Sequence, residues 1–206
     1  MSEAESMVFV VDDDDSLRKA LMRLIQSVGM KVEGFASAET FLLRPQHEGP
    51  CCLVLDVRMP GLSGLDLQEK LARANPTLPI IFITGHGTVP MSVKAMKAGA
   101  IDFLEKPFED QALLDLITHA LAGNRQTRQA HAEQSKILER FASLTPRERE
   151  ILSLVVTGKL NKQVAMQLDI SEQTVKVHRA RVMEKMRVES LADLIRISGI
   201  LSIPKD

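Results

Sequence analysis

The sequence predicts a doubly wound α/β domain around a five-stranded parallel sheet, followed by a small all-α domain. Three observations predict it. Short apolar runs alternate with segments of helical period through the first 122 residues. Several of those runs are apolar on both faces. After about residue 143 only helical periodicity remains.

The apolar runs lie at 7–11, 31–35, 51–55, 79–83 and 101–104. Between them fall helical patterns: Leu17, Leu21, Leu24, Ile25 and Val28; Ala38, Phe41 and Leu42; Leu65, Leu67 and Leu71; Val93 and Met96; then Leu113, Leu114, Ile117 and Leu121. Val8-Phe9-Val10-Val11 and Leu53-Val54-Leu55 offer no polar face, as expected of central parallel strands covered by helices on both sides. Cys51 and Cys52 are the only cysteines. Neighbouring cysteines rarely bridge, so they read as small residues entering a buried strand in a reducing compartment.

Residues 1–122 form the first expected domain and 123–143 a polar connector, rich in Asn124, Arg125, Gln126, Arg128 and Gln129. With no Gly or Pro after Gly123, the connector should be largely helical. In the last domain, 144–206, Thr145 caps a helix with Pro146 at its first position; Ile151, Leu152, Leu154 and Val155 give its inner face, and Gly158 ends it. Residues 161–168 form a short helix, Asp169-Ile170 a turn, and Ser171 caps a longer basic helix to about Met186. Ser190 caps a last one. Short helix, tight turn and longer basic helix make a helix-turn-helix pattern.

The net charge of −1 hides an asymmetry: residues 1–122 carry 11 Lys and Arg against 17 Asp and Glu, and residues 123–206 carry 15 against 10. An acidic half joined to a basic half suggests different partners, with nucleic acid for the second. No apolar run is long enough to span a membrane, and the first residues lack the pattern of a secretion signal. A cytoplasmic location is expected.

Ligands of open parallel sheets sit at the carboxyl ends of the strands. The residues there are Asp12 and Asp13 after the first strand, Asp56 after the third, Thr84 after the fourth and Lys106 after the fifth. Three converging carboxylates repel and call for a cation. Oxygen donors without nearby His or Cys point to Mg²⁺, or Mn²⁺ in its place. Beside such an ion Asp56 could act as a nucleophile toward a phosphoryl group, with Thr84 and Lys106 holding its oxygens. Gly61 and Gly64 allow a tight loop beside Asp56.

Val10-Val11-Asp12-Asp13-Asp14, Leu55-Asp56-Val57-Arg58-Met59-Pro60-Gly61-Leu62-Ser63-Gly64, Phe82-Ile83-Thr84-Gly85-His86-Gly87 and Gly99-Ala100-Ile101-Asp102-Phe103-Leu104-Glu105-Lys106-Pro107-Phe108 resemble the receiver domain of two-component response regulators, a flavodoxin-like and CheY-like fold, over roughly residues 6–122. The resemblance implies Asp56 as phosphoacceptor. It implies Mg²⁺ held by Asp13, by Asp56, by the Arg58 carbonyl and, through water, by Asp12. Thr84, Lys106 and Phe103 become the switch residues, and a cis Lys106–Pro107 bond is implied.

In the basic helix Val175, Val182 and Met186 share one face, which leaves Gln173, Lys176, Val177 and Ala180 on an outward stripe flanked by Arg179 and Arg181. Val and Ala beside basic residues suit a major groove, where a thymine methyl can be met. Thr174 and Lys185 complete the expected DNA-contacting set, and flanking cations would meet phosphates. Leu144-Thr145-Pro146-Arg147-Glu148, Gly158-Lys159-Leu160-Asn161-Lys162-Gln163-Val164-Ala165 and Thr174-Val175-Lys176-Val177-His178 resemble the LuxR-type DNA-binding domain, in which His178 looks structural. The pair is similar to the FixJ subfamily, in texture nearest its regulators of styrene and toluene degradation.

That resemblance implies a histidine kinase as phosphodonor, promoter DNA as target and a homodimer through Met91, Lys94, Ala95, Ile101 and Asp102. RNA polymerase is a further expected partner, and activation is expected over repression. Two other readings compete. A phosphohydrolase of dehalogenase type needs a second Asp two residues after the first, where this chain has Arg58. A phosphorylation-independent DNA-binding protein would not need the intact acidic set with Thr84 and Lys106.

Overall fold

The structure, a computed structural model, describes residues 5–85 and 88–201. His86 and Gly87, part of one receiver-like motif, lie outside the described residues. The chain forms two compact units, one up to Gln129 and one from Ala130.

In the first unit β1 (Met7–Val11), α1 (Asp15–Ser27), β2 (Lys31–Phe35), α2 (Ala38–Leu42), β3 (Cys51–Asp56), α3 (Gly64–Ala74), β4 (Ile80–Thr84), α4 (Val89–Lys97) and β5 (Asp102–Glu105) follow in turn. Then begins α5 (Asp110–Ala142). The five strands are all parallel, as expected, and lie in the order β2-β1-β3-β4-β5. Alternate strand residues feed two separate cores. Phe9, Val11, Leu53, Leu55 and Phe82 pack with Phe41, Leu67 and Leu71 on one face. Val8, Val10, Cys52, Val54, Ile81 and Ile83 pack with Leu21, Ile25, Leu113 and Ile117 on the other. The doubly apolar strand code is thus explained by helices covering both faces.

Some expectations shift. β3, β4 and β5 each end one residue later than the apolar runs, at Asp56, Thr84 and Glu105, because ladder bonding continues into the polar strand ends. Val28 is an exposed helix cap, and Leu42, Val93 and Met96 are exposed. α2 has only five residues, whose inner face Ala38 and Phe41 fill. On α4 the buried residue is Ala95.

The expected connector is helix throughout its first 20 residues, since α5 continues to Ala142. Asn124, read as part of a polar connector, is instead buried. Its Oδ1 accepts the Cys51 N–H at 3.0 Å and its Nδ2 donates to the Thr77 carbonyl at 2.6 Å, so it satisfies backbone groups at the start of β3 and in the turn before β4. Both cysteines are free and buried, and burial pushes the Cys52 thiol far up.

The second unit holds the end of α5, α6 (Pro146–Val156), α7 (Asn161–Leu168), α8 (Glu172–Met186) and α9 (Leu191–Ile200). Its core gathers Leu144, Ile151, Leu152, Val155, Val164, Val175, Val182, Met186 and Leu194. Leu154, expected on the inner face of α6, is only partly buried, and Val156 is buried in addition. Ser171 and Ser190 cap α8 and α9 as expected.

Candidate functional site

Strand register builds the first site. Val11 pairs with Leu55, so the next residues, Asp12 and Asp56, leave the sheet side by side at its carboxyl end. This is where the strand order changes direction, between β1 and β3. Asp56 pairs with Ile83, which brings Thr84 alongside, and Thr84 pairs with Glu105, which brings Lys106.

Asp12, Asp56 and Thr84 are all nearly inaccessible. Two buried carboxylates need a counter-charge, and Lys106 supplies it: its Nζ donates to Asp56 Oδ1 at 2.7 Å and to Asp12 Oδ2 at 3.0 Å. Burial pushes the Asp12 carboxyl above its ordinary range despite Lys106. Burial acts against the Lys106 ammonium too, but its hydrogen bonds to Asp56 and Asp12 outweigh that and raise its pKa. Asp56 Oδ2 accepts the Arg58 N–H at 2.7 Å. Both carboxylate oxygens of Asp56 are thereby oriented, and the carboxylate is held by donors on one residue two positions away and one fifty positions away.

The loop after Asp56 depends on glycine. Gly61 has φ +77°, a left-handed conformation that glycine adopts without penalty. A Cβ on Gly64 would lie 2.2 Å from the Asp56 carbonyl oxygen, so only glycine allows the loop to close this tightly on the strand end. The Lys106–Pro107 bond is cis. Phe103 is half-buried, with its ring 6.2 Å from that of Phe82.

The three carboxylates do not gather as expected. Asp13 is exposed, and among the described residues no three His, Cys, Asp or Glu side chains come together closely enough to hold a metal ion. The Lys106 bridge brings the other two together instead. Sequence reasoning missed Arg18, whose Nη1 donates to the Asp12 carbonyl at 2.8 Å. No spacing rule singles out a residue six positions on.

The second site is the exposed face of α8. Ser171 Oγ accepts the Thr174 N–H at 3.0 Å and fixes the helix start. Gln173, Lys176, Val177, Ala180 and Arg181 are exposed on it, while Val175, Val182 and Met186 are buried. Val177 is 42% exposed among polar neighbours on this face. Thr174 is half-buried in the cap, its hydroxyl 2.8 Å from that of Ser171. Arg179 donates to Asn161 Oδ1 at 3.1 Å, tying α8 to α7.

Of the expected site residues, one has an internal partner and one is buried. Lys185, expected among the DNA-contacting residues, is half-buried, and its Nζ lies 2.7 Å from Glu148 Oε2 in an ion pair within the unit, as a buried carboxylate on α6 requires a cation. Ala95, expected on the dimer face, is fully buried and offers no surface, since α4 has one inward side and Ala95 occupies it. Met91, Ile101 and Asp102 are half-buried, and Lys94 is exposed.

Two family models match the chain: the response regulator receiver domain over residues 8–118, and the bacterial regulatory proteins of the luxR family over residues 142–198. Nodulation protein W of Bradyrhizobium diazoefficiens is 52% identical over 98% of this chain and 89% of its own length. Response regulator protein TodT of Pseudomonas putida is 48% identical over 96% and 87%. Among solved structures, response regulator StyR superposes with a TM-score of 0.89 at 52% identity, covering 95% of this chain and 99% of that one. Full-length FixJ from B. japonicum gives a TM-score of 0.57 at 41% identity, covering 96% and 98%.

Proposed function

The chain is a response regulator of the FixJ type, with a receiver domain and a LuxR-type DNA-binding domain, and from this membership we propose that phosphoryl transfer to Asp56 controls its binding to promoter DNA. The observation that carries the proposal is the Asp56 carboxylate, buried at the strand-order switch and gripped by Lys106.

In this reading a partner histidine kinase delivers the phosphoryl group. An Asp56 carboxylate oxygen attacks phosphorus, the bond from phosphorus to the donor nitrogen breaks, and an acyl phosphate forms on Asp56. The Lys106 ammonium, already within hydrogen-bond distance of Asp56, pairs with the added phosphoryl oxygens. Thr84, at the end of β4, presents its hydroxyl to the same group.

The donor types suit Mg²⁺ or Mn²⁺, although Asp13 stands apart from the Lys106-bridged Asp12 and Asp56 and would have to move in to complete the set. Every available donor is oxygen, and a site whose Asp12 carboxyl is pushed up by burial gains from added positive charge. Asp13, Asp56, the Arg58 carbonyl and, through water, Asp12 would hold the ion, which would offset the negative charge that accumulates during transfer.

Movement of Thr84 toward the phosphoryl group would let half-buried Phe103 turn inward, reshaping the surface of α4 and β5. Met91, Lys94, Ile101 and Asp102 of that surface would then join two chains, so that a pair of α8 helices reads paired half-sites. RNA polymerase would be met at the promoter. A switch from about 1% to 99% active needs ~5.5 kcal/mol of differential stabilisation.

The test is incubation with acetyl phosphate and Mg²⁺, followed by intact mass and sedimentation, for the wild type and Asp56→Asn. One added phosphoryl group with a shift from monomer to dimer, absent in the variant, is expected. Equal modification of the variant would remove Asp56 from the role, and modification without association would remove the dimer step.

A further inference from the structure

Residues 12–15 are four consecutive aspartates, a run that would repel itself unless it were held. Part of the restraint is local. Asp12 Oδ1 accepts the Asp14 N–H at 2.9 Å, and Asp14 Oδ1 accepts the N–H groups of Ser16 and Leu17. The rest comes from Arg18, three residues past the end of the run. Its Nη1 donates to the Asp12 carbonyl at 2.8 Å and its Nη2 to Asp15 Oδ1 at 2.5 Å. One rigid guanidinium therefore spans the run from the end of β1 to the first residue of α1, and Asp13 lies within the span.

The Arg18 side chain is only 14% exposed. Its stem passes over Gly34 of β2, where a Cβ would stand 3.3 Å from Arg18 Cγ and Cδ and 2.5 Å from Met22 Sδ. Gly34 has no positive φ to account for it. What its lack of a side chain does is leave room for the Met22 sulfur, the nearest atom, and beside it for the Arg18 stem. Lys19 also pairs with Asp15, at 2.6 Å, but both partners are largely exposed and the pair touches nothing at the strand end.

We propose that Arg18 is a positioning residue of the phosphoacceptor site: by clamping the Asp12 carbonyl to Asp15 it fixes the course of the backbone that carries Asp13, and Gly34 gives it room to do so. The inference rests on the proposed function. It adds a residue and a cause: without the clamp, cation binding must itself order the turn.

The sign of the effect separates positioning from charge. Removing a positive group near a cation site should tighten cation binding if charge alone mattered. Loss of a positioning residue should weaken it, by about tenfold where an outer partner of a metal site is lost.

The experiment measures Mn²⁺ binding to the full chain by electron paramagnetic resonance, and phosphoryl uptake from acetyl phosphate as Mg²⁺ is varied. The proteins are wild type, Arg18→Ala, Arg18→Lys, Gly34→Ala and Lys19→Ala. Expected are about tenfold weaker Mn²⁺ binding in Arg18→Ala, partial recovery in Arg18→Lys, a smaller loss in Gly34→Ala and no change in Lys19→Ala. Uptake by Arg18→Ala should need more Mg²⁺ but reach the wild-type plateau. Unchanged or tighter Mn²⁺ binding in Arg18→Ala, with folding verified by circular dichroism, would overturn the assignment. A wild type that binds Mn²⁺ but accepts no phosphoryl group would sink the proposed function instead, and would leave the Arg18 comparison readable.

Discussion

Lys185 Nζ lies 2.7 Å from Glu148 Oε2, so a cation near the end of α8 neutralises a buried carboxylate in the first turn of α6. Glu148 also accepts the Thr145 N–H at 2.8 Å, while Thr145 Oγ1 accepts the Glu148 N–H, closing a capping box. The ion pair and the cap thus share one carboxylate.

The first prediction concerns pH. The hydrogen bond from Lys185, then that from the Thr145 backbone, holds the Glu148 carboxyl down at about 2. A depressed folded-state pKa contributes stability that is present above the ordinary glutamate range and is lost as pH falls from there toward 2. Hydrogen exchange of α6 and α8 amides, followed from pH 6 to about pH 3, should show this loss in the wild type. Glu148→Gln should start less protected and change less over the same window. Parallel behaviour of the two proteins would assign the acid sensitivity to other groups.

DNA binding should divide the basic residues of α8 into two kinds. Lys176→Ala removes an exposed side chain from the outward stripe and should cost about 1–3 kcal/mol of specific affinity while leaving thermal stability unchanged. Lys185→Ala strands the buried Glu148 carboxylate and should cost about 3 kcal/mol of stability in the second unit. Titrations with operator DNA at two salt concentrations, alongside melting curves, separate the two effects. A Lys185→Ala chain that melts like wild type would show that Glu148 does not depend on it.

Gly64→Ala should disturb the phosphoacceptor loop, because the new Cβ would fall 2.2 Å from the Asp56 carbonyl oxygen. That is backbone at a strand end and cannot step aside. Loss of about 1–3 kcal/mol of stability is expected, with slower phosphoryl uptake. Gly123→Ala is the control: nothing lies near its added Cβ, and as a helical glycine it should gain up to about 1 kcal/mol. Equal uptake by Gly64→Ala and wild type would contradict the steric argument.

Asn124→Leu tests the polar clip on α5. The substitution keeps the branched outline of the side chain but leaves the Cys51 N–H and the Thr77 carbonyl without the amide that serves both. A loss of about 2–4 kcal/mol in urea unfolding of the receiver is expected. Slow exchange of the Cys51 amide should be lost with it, and retained protection would show that another acceptor has replaced Asn124.

The sequence by itself determined the order of strands and helices, the parallel sheet, the helix-turn-helix and the identity of Asp56, Thr84 and Lys106 as strand-end residues. It could do so because these features are local. Apolar runs, cap residues and the residue that follows a strand are written within a few positions of one another. Tertiary structure alone decided what depends on partners distant along the chain. Asn124 and Lys185 look like ordinary surface residues of a polar connector and a basic helix until Cys51 and Glu148 are brought against them. Ala95 looks available until its side of α4 is seen to face the core. Arg18 gains a role only when its guanidinium spans the aspartate run, with its stem over Gly34 on the neighbouring strand. A buried backbone group or carboxylate must be satisfied by whatever side chain the fold delivers, and that choice is made in space rather than along the sequence.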